Sequence, residues 1–293
     1  MDQITHPRLR AELLPSSTGV RLWLDDQRWA DLATPPDELV VALRRADGWW
    51  PRTEERWDPL WTTLAHHGLA DQGPSDRVLG GLRIAVLGSG SLARAVSVAL
   101  GRGGADPMLV IDPRPPSQLE WIHSTEPTCG HAMARWLLQR RKIACRAGSG
   151  MDDLRGWADL VVVATQYVEP DRLLVDQLVR HGLAHLVLRA HRDLGRVGPM
   201  VEPGRTPCLG CHDLVVGARD TGRGATVARL GMHRSDPDET VVRAVAAQAV
   251  LEVGWWAQGH RGRLEGRVLG LDRVAPDLPV ARFPVHPDCT CPG

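Results

Sequence analysis

The stretch LRIAVLGSGSLARAVSVALGRGG, residues 82–104, decides how the rest of the chain is interpreted. It begins as an apolar run typical of a buried strand, turns at Gly88-Ser-Gly90-Ser-Leu-Ala93, and continues as an amphipathic helix that ends on glycines. Glycines in such a turn allow a tight bend and let a phosphate approach the positive end of the helix. The stretch therefore fits the GxGxxA form of the nucleotide-binding fingerprint.

The next strand, PMLVID, ends at Asp112, 24 residues after Gly88. A carboxylate at this place can accept a hydrogen bond from a ribose hydroxyl, so Gly88, Gly90 and Asp112 are candidate residues of a nucleotide-like pocket. The order of strand, turn and helix predicts a Rossmann-like fold. Whether the pocket holds a nucleotide stays open, because the same glycines also occur in folds that have lost their ligand.

Strands and helices continue to alternate up to residue 190, which predicts an α/β domain with a mostly parallel sheet. The further strands are IACRA, DLVVVAT and AHLVLRA, and the helices are HAMARWLLQRR and PDRLLVDQLVRHG. Residues 191–238 are expected to be irregular. A long helix, ETVVRAVAAQAVLEVGWWAQG, and a hairpin within GRLEGRVLGLD complete a domain that we place at residues 80–293.

The pattern of residues 1–75 differs and predicts a separate, small α+β domain. Short strands are expected between residues 8 and 34, with turns near Gly19 and Asp26. Two helices follow, ELVVALRRADGW and LWTTLAHHGLA, each opened by a proline and an aspartate. The polar stretch at residues 71–77 predicts the end of this domain.

Four cysteines form two close pairs in distant parts of the chain, Cys208-Leu-Gly-Cys211 and Cys289-Thr-Cys291. Two such pairs can supply the four thiolates of a structural zinc site, which would hold the C-terminal tail against the loop after the sheet. Because the second pair is short, His286 is an alternative to one sulfur. A redox pair and unrelated thiols are the other interpretations, although no thioredoxin-type βα turn carries the first pair. Cys129 and Cys145 are interpreted as ordinary thiols.

The composition excludes several classes of protein. Of 293 residues, 43% are hydrophobic and 35 basic side chains balance 35 acidic ones, so no net field points to nucleic acid or to an anionic membrane surface. The sequence contains no run of about 18 apolar residues, which argues against a membrane span. Its N-terminus is charged throughout, unlike a signal peptide, so we expect a cytoplasmic protein. Lys142 is the single lysine among these basic residues, which we interpret as a coding bias towards arginine. Residue spacing indicates no Ser-His-Asp or Cys-His catalytic arrangement.

The order of these features resembles the ThiF/MoeB (E1-like) superfamily of adenylating enzymes over residues 80–293. The specific pieces are GRVGPMVEPGRTPCLGCHDL, the long apolar helix after it, and HPDCTC at the C-terminus. The resemblance implies a homodimeric, Rossmann-like protein with structural zinc on the four cysteines. An active member of the superfamily binds ATP and Mg²⁺ and adenylates the C-terminal carboxylate of a small carrier protein.

Several groups that this adenylation requires are absent. The acids that run D-x-D in the superfamily read Asp112-Pro-Arg114 here, and its Asn-x-x-Arg run falls on residues 115–121, which lack both residue types. Its lysine falls near residues 130–133, and Lys142 comes about two turns too late. Its metal-holding aspartate falls on residues 164–167, Ala-Thr-Gln-Tyr. Arg135, Arg140 or Asp171 could be recruited instead, but ATP and Mg²⁺ binding is expected to be lost.

An E1-like body behind a small α+β domain looks most similar to the leader-peptide-binding component of azole-forming (TOMM) cyclodehydratases in ribosomal peptide (RiPP) maturation. That resemblance implies a winged-helix-like N-terminal element that captures a precursor's leader, and a separate YcaO-type partner that uses ATP. We expect the leader to add as a strand to a sheet edge, with Arg28, Trp29, Ala30, Asp31 and Leu32 as the candidate edge. Residues 1–75 could instead serve as a dimerisation or covering domain.

Three functional hypotheses follow. The first is a non-adenylating scaffold that binds a leader peptide and presents it to a YcaO-type cyclodehydratase. The second is an ATP-dependent ThiF/MoeB-type adenylyltransferase for a ubiquitin-like modifier or sulfur-carrier protein, with a divergent ATP site. No cysteine lies between Cys211 and the helix at Glu239, so a thioester mechanism is disfavoured. The third, an NAD(P)-dependent oxidoreductase, depends on the glycine turn and Asp112 alone.

Overall fold

The computed structural model describes residues 7–45, 58–72, 79–112, 130–260, 263–275 and 280–291. The chain divides into two compact units, residues 1–78 and residues 79–293. Among the described residues, no helix combines the length and the apolar character that crossing a membrane would require.

In its described residues, the N-terminal unit contains a three-stranded antiparallel meander and two helices. Its elements are β1 (Pro7–Leu9), β2 (Glu12–Ser16), β3 (Gly19–Asp25), β4 (Arg28–Ala33), α1 (Asp37–Arg45), α2 (Asp58–His66) and β5 (Ala70–Gln72). Strands β2, β3 and β4 pair in sequence order, and β1 pairs with β5 in a separate ribbon. Apolar and polar residues alternate along the meander, so Leu22 shares a buried core with Leu39 of α1 and Trp61 of α2.

The larger unit contains one eight-stranded mixed sheet. Its strands are β6 (Gly80–Leu87), β7 (Asp106–Ile111), β8 (Cys145–Gly148), β9 (Leu160–Val163), β10 (His185–His191), β11 (Leu194–Val201), β12 (Arg267–Asp272) and β13 (Val280–Arg282). They lie in the order β13-β12-β11-β10-β9-β6-β7-β8. Strands β6 to β10 are parallel to one another, whereas β11, β12 and β13 pair antiparallel, with β11 beside β10. The arrangement confirms the predicted α/β fold with a mostly parallel sheet.

Helices cover both faces of this sheet. They are α3 (Ser91–Arg102), α4 (Gly130–Trp136), which a π-helical turn (Leu137–Arg141) continues, α5 (Arg172–Arg180), α6 (Leu209–Gly217), α7 (Arg223–Leu230) and α8 (Glu239–Ala257). Because side chains alternate along a strand, Leu186 and Leu188 of β10 share one core with α3 and α8. Val187 points to the other face, where it packs with Val175 of α5 and Leu209 of α6.

The strand order reverses direction at β6. From β6 the chain continues to β7 and β8 on one side, and then crosses to β9 and β10 on the other. In open α/β sheets, the crevice for a ligand lies at the carboxyl ends of the strands at such a reversal. Here it lies where Leu87 ends β6 and Val163 ends β9.

Two expectations for the second half of the chain are wrong. Residues 191–238 are not irregular, because they contain β11, α6 and α7. The dipeptide Gly198-Pro199 looks like a break in the sequence, but the β10–β11 register slips between Leu186 and Leu188, so the proline lies in a bulge. The segment GRLEGRVLGLD supplies one strand, β12, and its hairpin partner is the later strand β13.

Candidate functional site

A cavity of about 1190 Å³ opens at the carboxyl ends of β6 and β9. Gly88 and Asp112 line it on the sheet side, and the residues that begin α5, end α6 and form α7 line it on the other side. The segment that contains His286 completes the wall. Of the three residues considered as substitutes in the sequence, Arg135 and Arg140 do not line this cavity, whereas the acidic residue Asp171 does.

The glycines of the β6–α3 turn are required by packing. Gly88 has a φ of 127°, and a Cβ there would lie 2.2 Å from the Ala164 carbonyl oxygen. A Cβ at Gly90 would lie 2.8 Å from the Cβ of Gln166. The close approach of this turn to the end of β9 accounts for both glycines, whether or not a phosphate binds.

Asp112 is held by the same turn. The Ser89 hydroxyl donates a 2.7 Å hydrogen bond to its carboxylate, and the residue is buried. Gln166, which stands where the superfamily has its metal-holding aspartate, packs beside Gly90. Lys142 follows the π-helical turn with a φ of 59° and does not line the cavity. Arg114 and residues 115–121 lie outside the described residues.

Buried and partly buried ion pairs support the far wall of the cavity. Glu169, which precedes α5, accepts hydrogen bonds from Arg172 at 2.9 Å and from Arg189 of β10 at 3.0 Å. Asp213 of α6 accepts from Arg172 at 2.5 Å and from Arg223 of α7 at 2.7 Å. These contacts connect β10, α5, α6 and α7.

The arginines determine the charge state of both carboxyl groups. Burial alone would raise the pKa of Glu169, but the charges of Arg189 and Arg172 hold it below its ordinary value. Burial would likewise raise the pKa of Asp213, but His212, Arg172 and Arg223 hold it well below its usual range. Both carboxylates are therefore charged at neutral pH, and the two arginines that line the cavity are bound to the same Asp213.

This network is not apparent from the sequence, because its members come from four separate elements. The available signal is Arg189, a charged residue inside the apolar strand AHLVLRA. A charged side chain in a buried strand needs a buried partner of opposite charge.

The four paired cysteines come together as a compact cluster that could hold a metal ion. All four sulfur atoms lie within 4.8 Å of one another. The Cys208–Cys211, Cys208–Cys289 and Cys211–Cys291 sulfur separations are 3.9, 3.5 and 3.4 Å. Zinc with four thiolates at about 2.3 Å requires sulfur separations of about 3.8 Å, so the geometry fits a tetrahedral site.

The surroundings of this cluster also fit a metal. A Cβ on Gly210 would lie 3.3 Å from the sulfurs of Cys208 and Cys289, so the glycine leaves room for the ligands. Burial raises the pKa of the Cys208 thiol and raises that of Cys291 to about 11, a cost that a bound cation would offset. His286 is not part of the cluster, although its carbonyl accepts the Cys289 N–H at 3.0 Å. Cys145 is a partly buried free thiol, and Cys129 lies outside the described residues.

The predicted peptide-binding segment lies on β4, which is an edge of the N-terminal sheet. Within the described residues, β4 pairs with β3 alone. The Thr34 N–H bonds to the Thr18 carbonyl at 3.0 Å, and hydrogen-bonded pairs alternate along an antiparallel ladder. The backbone groups of Trp29, Asp31 and Ala33 therefore point away from β3, towards the open edge.

Side chains alternate along β4 in the same way. Ala30 and Leu32 are half-buried and pack against the core of the N-terminal unit. Trp29 is 51% exposed on the opposite face, and the Arg21 guanidinium lies 4.6 Å from its ring centre. Arg21 also donates two hydrogen bonds of 2.8 Å to Asp31. These side-chain contacts fix the positions of Trp29 and Asp31 on the exposed face of β4.

No protein-family model and no curated protein sequence matches the chain. Solved structures match over nearly its full length. E. coli MccB with ATP has a TM-score of 0.63 at 13% identity, over 98% of this chain and 100% of that chain. The microcin C7 biosynthetic enzyme MccB in complex with N-formylated MccA has a TM-score of 0.61 at 15% identity, over 98% of this chain and 99% of that chain. The heterocyclase TruD has a TM-score of 0.59 at 13% identity, over 99% of this chain and 43% of that chain.

These likenesses concern the fold. The chain covers MccB from end to end and covers less than half of TruD. The mixed sheet and the small N-terminal antiparallel sheet match the fold of MccB, which confirms the E1-like fold that the sequence predicted.

Proposed function

We propose that the chain is an E1-like scaffold that binds the leader segment of a precursor peptide and presents it to an ATP-using, YcaO-type cyclodehydratase without adenylating the peptide. The observation that carries this proposal is the open edge of β4, where the backbone groups of Trp29, Asp31 and Ala33 are available to an extended chain. The fold shared with MccB, solved in complex with MccA, and with the heterocyclase TruD supports a role in peptide modification.

Strand addition explains how such an edge can recognise a leader. Backbone hydrogen bonds supply affinity, and alternate side chains supply specificity. Ala30 and Leu32 offer a half-buried apolar border, while Arg21 keeps Trp29 and Asp31 in fixed positions on the other face. A peptide therefore meets an ordered edge, which lowers the entropic cost of binding.

The cavity is poorly suited to adenylation. The transfer of an adenylyl group requires cations on the triphosphate and a carboxylate for Mg²⁺. The arginines that line the cavity, Arg172 and Arg223, are both bound to Asp213. Lys142 does not line it, and Gln166 replaces the metal-holding aspartate of the superfamily. ATP and Mg²⁺ are accordingly not among the proposed cofactors.

The same proposal includes the properties that the resemblance implies for the whole protein. Zinc would bind to Cys208, Cys211, Cys289 and Cys291 as a structural ion. Residues 1–75 would form the peptide-recognition element and residues 80–293 the E1-like body. The protein would be a cytoplasmic homodimer.

A second candidate function is the adenylyltransferase. The observation that favours it is the full-length match to MccB, which has been solved with ATP. Gly88 and Asp112 also stand at the sheet reversal where a nucleotide would bind. Calorimetric titration with ATP·Mg²⁺ separates the two candidates, because micromolar binding or pyrophosphate exchange with a carrier would favour the adenylyltransferase.

Peptide capture tests the main proposal. Binders are selected from a phage-displayed library of random peptides on the full-length protein, and their Kd values are measured by fluorescence anisotropy. Ala33→Pro removes one N–H that points to the open edge, so we expect affinity to fall about tenfold, as for the loss of about 1 to 1.5 kcal/mol. Ala33→Ser keeps this N–H and serves as the control.

Modified peptides provide an independent readout. N-methylation of alternate peptide residues should weaken binding, whereas N-methylation of the intervening residues should not. Equal effects at every position would contradict strand addition. If residues 1–75 instead mediate dimerisation, Ala33→Pro should change the oligomeric state and leave peptide affinity unchanged.

A further inference from the structure

The cavity beside Gly88 is lined by more negative than positive charge. Its described lining contains five carboxylates and two guanidinium groups. The carboxylates belong to Asp112, Asp171, Asp213, Asp220 and Asp288. Arg172 and Arg223 both bond to Asp213, and Arg172 also bonds to Glu169, so both guanidinium groups are already engaged within the wall.

Asp171 and Asp220 are two acids of this lining that are not held by any described arginine. The Asp171 carboxylate accepts the Leu173 N–H at 2.9 Å, and the Asp220 carboxylate accepts the Gly222 N–H at 2.9 Å. In the part of the chain that the structure describes, neither carboxylate forms an ion pair with an arginine or lysine. Both residues are exposed, so a ligand in the cavity can reach them.

The remaining walls are apolar and partly uncovered. Leu174 and Val227 line the cavity, and so do Leu214 and Met232, which are 37% and 76% exposed. The volume of about 1190 Å³ exceeds the 300 to 1,000 Å³ typical of small-molecule sites. Apolar walls of this extent suit several residues of an extended chain.

We propose that this cavity binds a segment of the modified peptide that carries an arginine or lysine side chain between apolar neighbours. The long apolar stem of such a side chain would lie along Leu214 and Met232, while its charged end would approach Asp171 and Asp220. A phosphate-rich or acidic ligand would meet a net repulsion at the same place. This inference rests on the proposed function, since it assumes that the protein's ligand is a peptide.

Fluorine NMR can test the inference at a single position. Tyr167 is the only tyrosine of the chain and it lines the cavity, so labelling with 3-fluorotyrosine gives one ¹⁹F signal at the site. The probes are Ac-Ala-Leu-Arg-Leu-Ala-NH2 and two matched peptides with citrulline or glutamate in place of arginine. We expect the arginine peptide to shift the signal and to bind about tenfold more tightly than the glutamate peptide, with citrulline between them.

Variants then assign the preference to its residues. In the double variant Asp171→Asn and Asp220→Asn, the amide oxygens can still accept the two backbone N–H groups, but the charges are gone. The affinity ratio between the arginine and glutamate peptides should fall to about threefold or less. Asp152→Asn, at a fully exposed residue outside the cavity, should leave the ratio unchanged.

Two results would overturn the inference. One is the absence of any ¹⁹F shift with the arginine peptide in the millimolar range, and the other is an equal affinity for all three peptides. The β4 edge is intact in these experiments, so the inference can fail while leader capture holds. Loss of leader capture is measured separately with Ala33→Pro.

Discussion

Replacement of Glu169 by glutamine should lower the free energy of unfolding of the larger unit by about 3 to 5 kcal/mol. The Glu169 carboxylate accepts two hydrogen bonds of 3.0 Å from Arg189 and one of 2.9 Å from Arg172. Arg189 is only 4% exposed, so the variant leaves a buried guanidinium without a negative partner. The cost arises from this uncompensated charge rather than from a lost contact.

Denaturant unfolding followed by far-UV circular dichroism measures the change. The matched control is Glu239→Gln, which removes the same charge from an exposed ion pair. Glu239 and Arg243 lie 2.6 Å apart, and their side chains are 78% and 74% exposed. Exposed pairs of this kind contribute little, so the control should unfold like the wild type. A Glu169→Gln variant as stable as the control would refute the buried-charge argument.

The pH dependence provides a second check on the same residue. The folded-state pKa of Glu169 lies below its ordinary value of 4.5, so its charge stabilises the fold above that pH. This contribution is lost progressively as the pH falls from about 4.5, where the carboxyl group of the unfolded chain becomes protonated, through the lower pKa of the folded protein. The stabilities of the wild type and of Glu169→Gln should therefore converge in acid, and a constant difference would contradict the assignment.

Three further changes test other parts of the molecule. Metal analysis should find about one zinc per chain, and Cys208→Ser should lose it; a variant that stays folded and loaded would refute the ligand set. Gly88→Ala should lower the unfolding free energy by about 3 kcal/mol or more because of its clash with Ala164, whereas Gly217→Ala, with open space around it, should be neutral or stabilising. Burial lowers the pKa of His185 to about 4, so the neutral ring favours the fold above pH 6.5, and about 3 kcal/mol should be lost between pH 6.5 and 4. His185→Leu should abolish that loss, and an unchanged pH profile in the variant would show that the acid sensitivity comes from other groups.

The features that the sequence predicts are those carried by neighbouring residues. Residues 82–104 contain the strand, the turn and the helix that define the E1-like body, and the spacing within each cysteine pair indicates metal ligation. Strand β11 was missed because Pro199 is tolerated only through its bulge against β10, and that pairing is not local. The same limit applies to the Glu169 network, since no spacing along the chain relates Glu169 to Asp213.

The near absence of lysine from the chain concerns the candidate nucleotide site as well as the composition. We interpret the predominance of arginine over lysine in the chain as a coding bias. It does not explain residues 130–133, Gly-His-Ala-Met, where the superfamily places a phosphate-binding lysine and this chain has neither cation. Among the described residues that line the cavity, the arginines are Arg172 and Arg223, and both are bound to Asp213, so neither replaces that lysine.

The cysteine cluster has a mechanical consequence. It joins positions 80 and 81 residues apart, so a metal ion there would cross-link a long loop that contains α7, α8 and the β12–β13 hairpin. By analogy with a disulfide, closing such a loop would remove about 4 to 5 kcal/mol of chain entropy from the unfolded state. His286 and Asp288 belong to the anchored tail and also line the cavity. Metal starvation would therefore loosen one wall of the cavity before the sheet itself unfolds, and would connect ligand affinity to the supply of the ion.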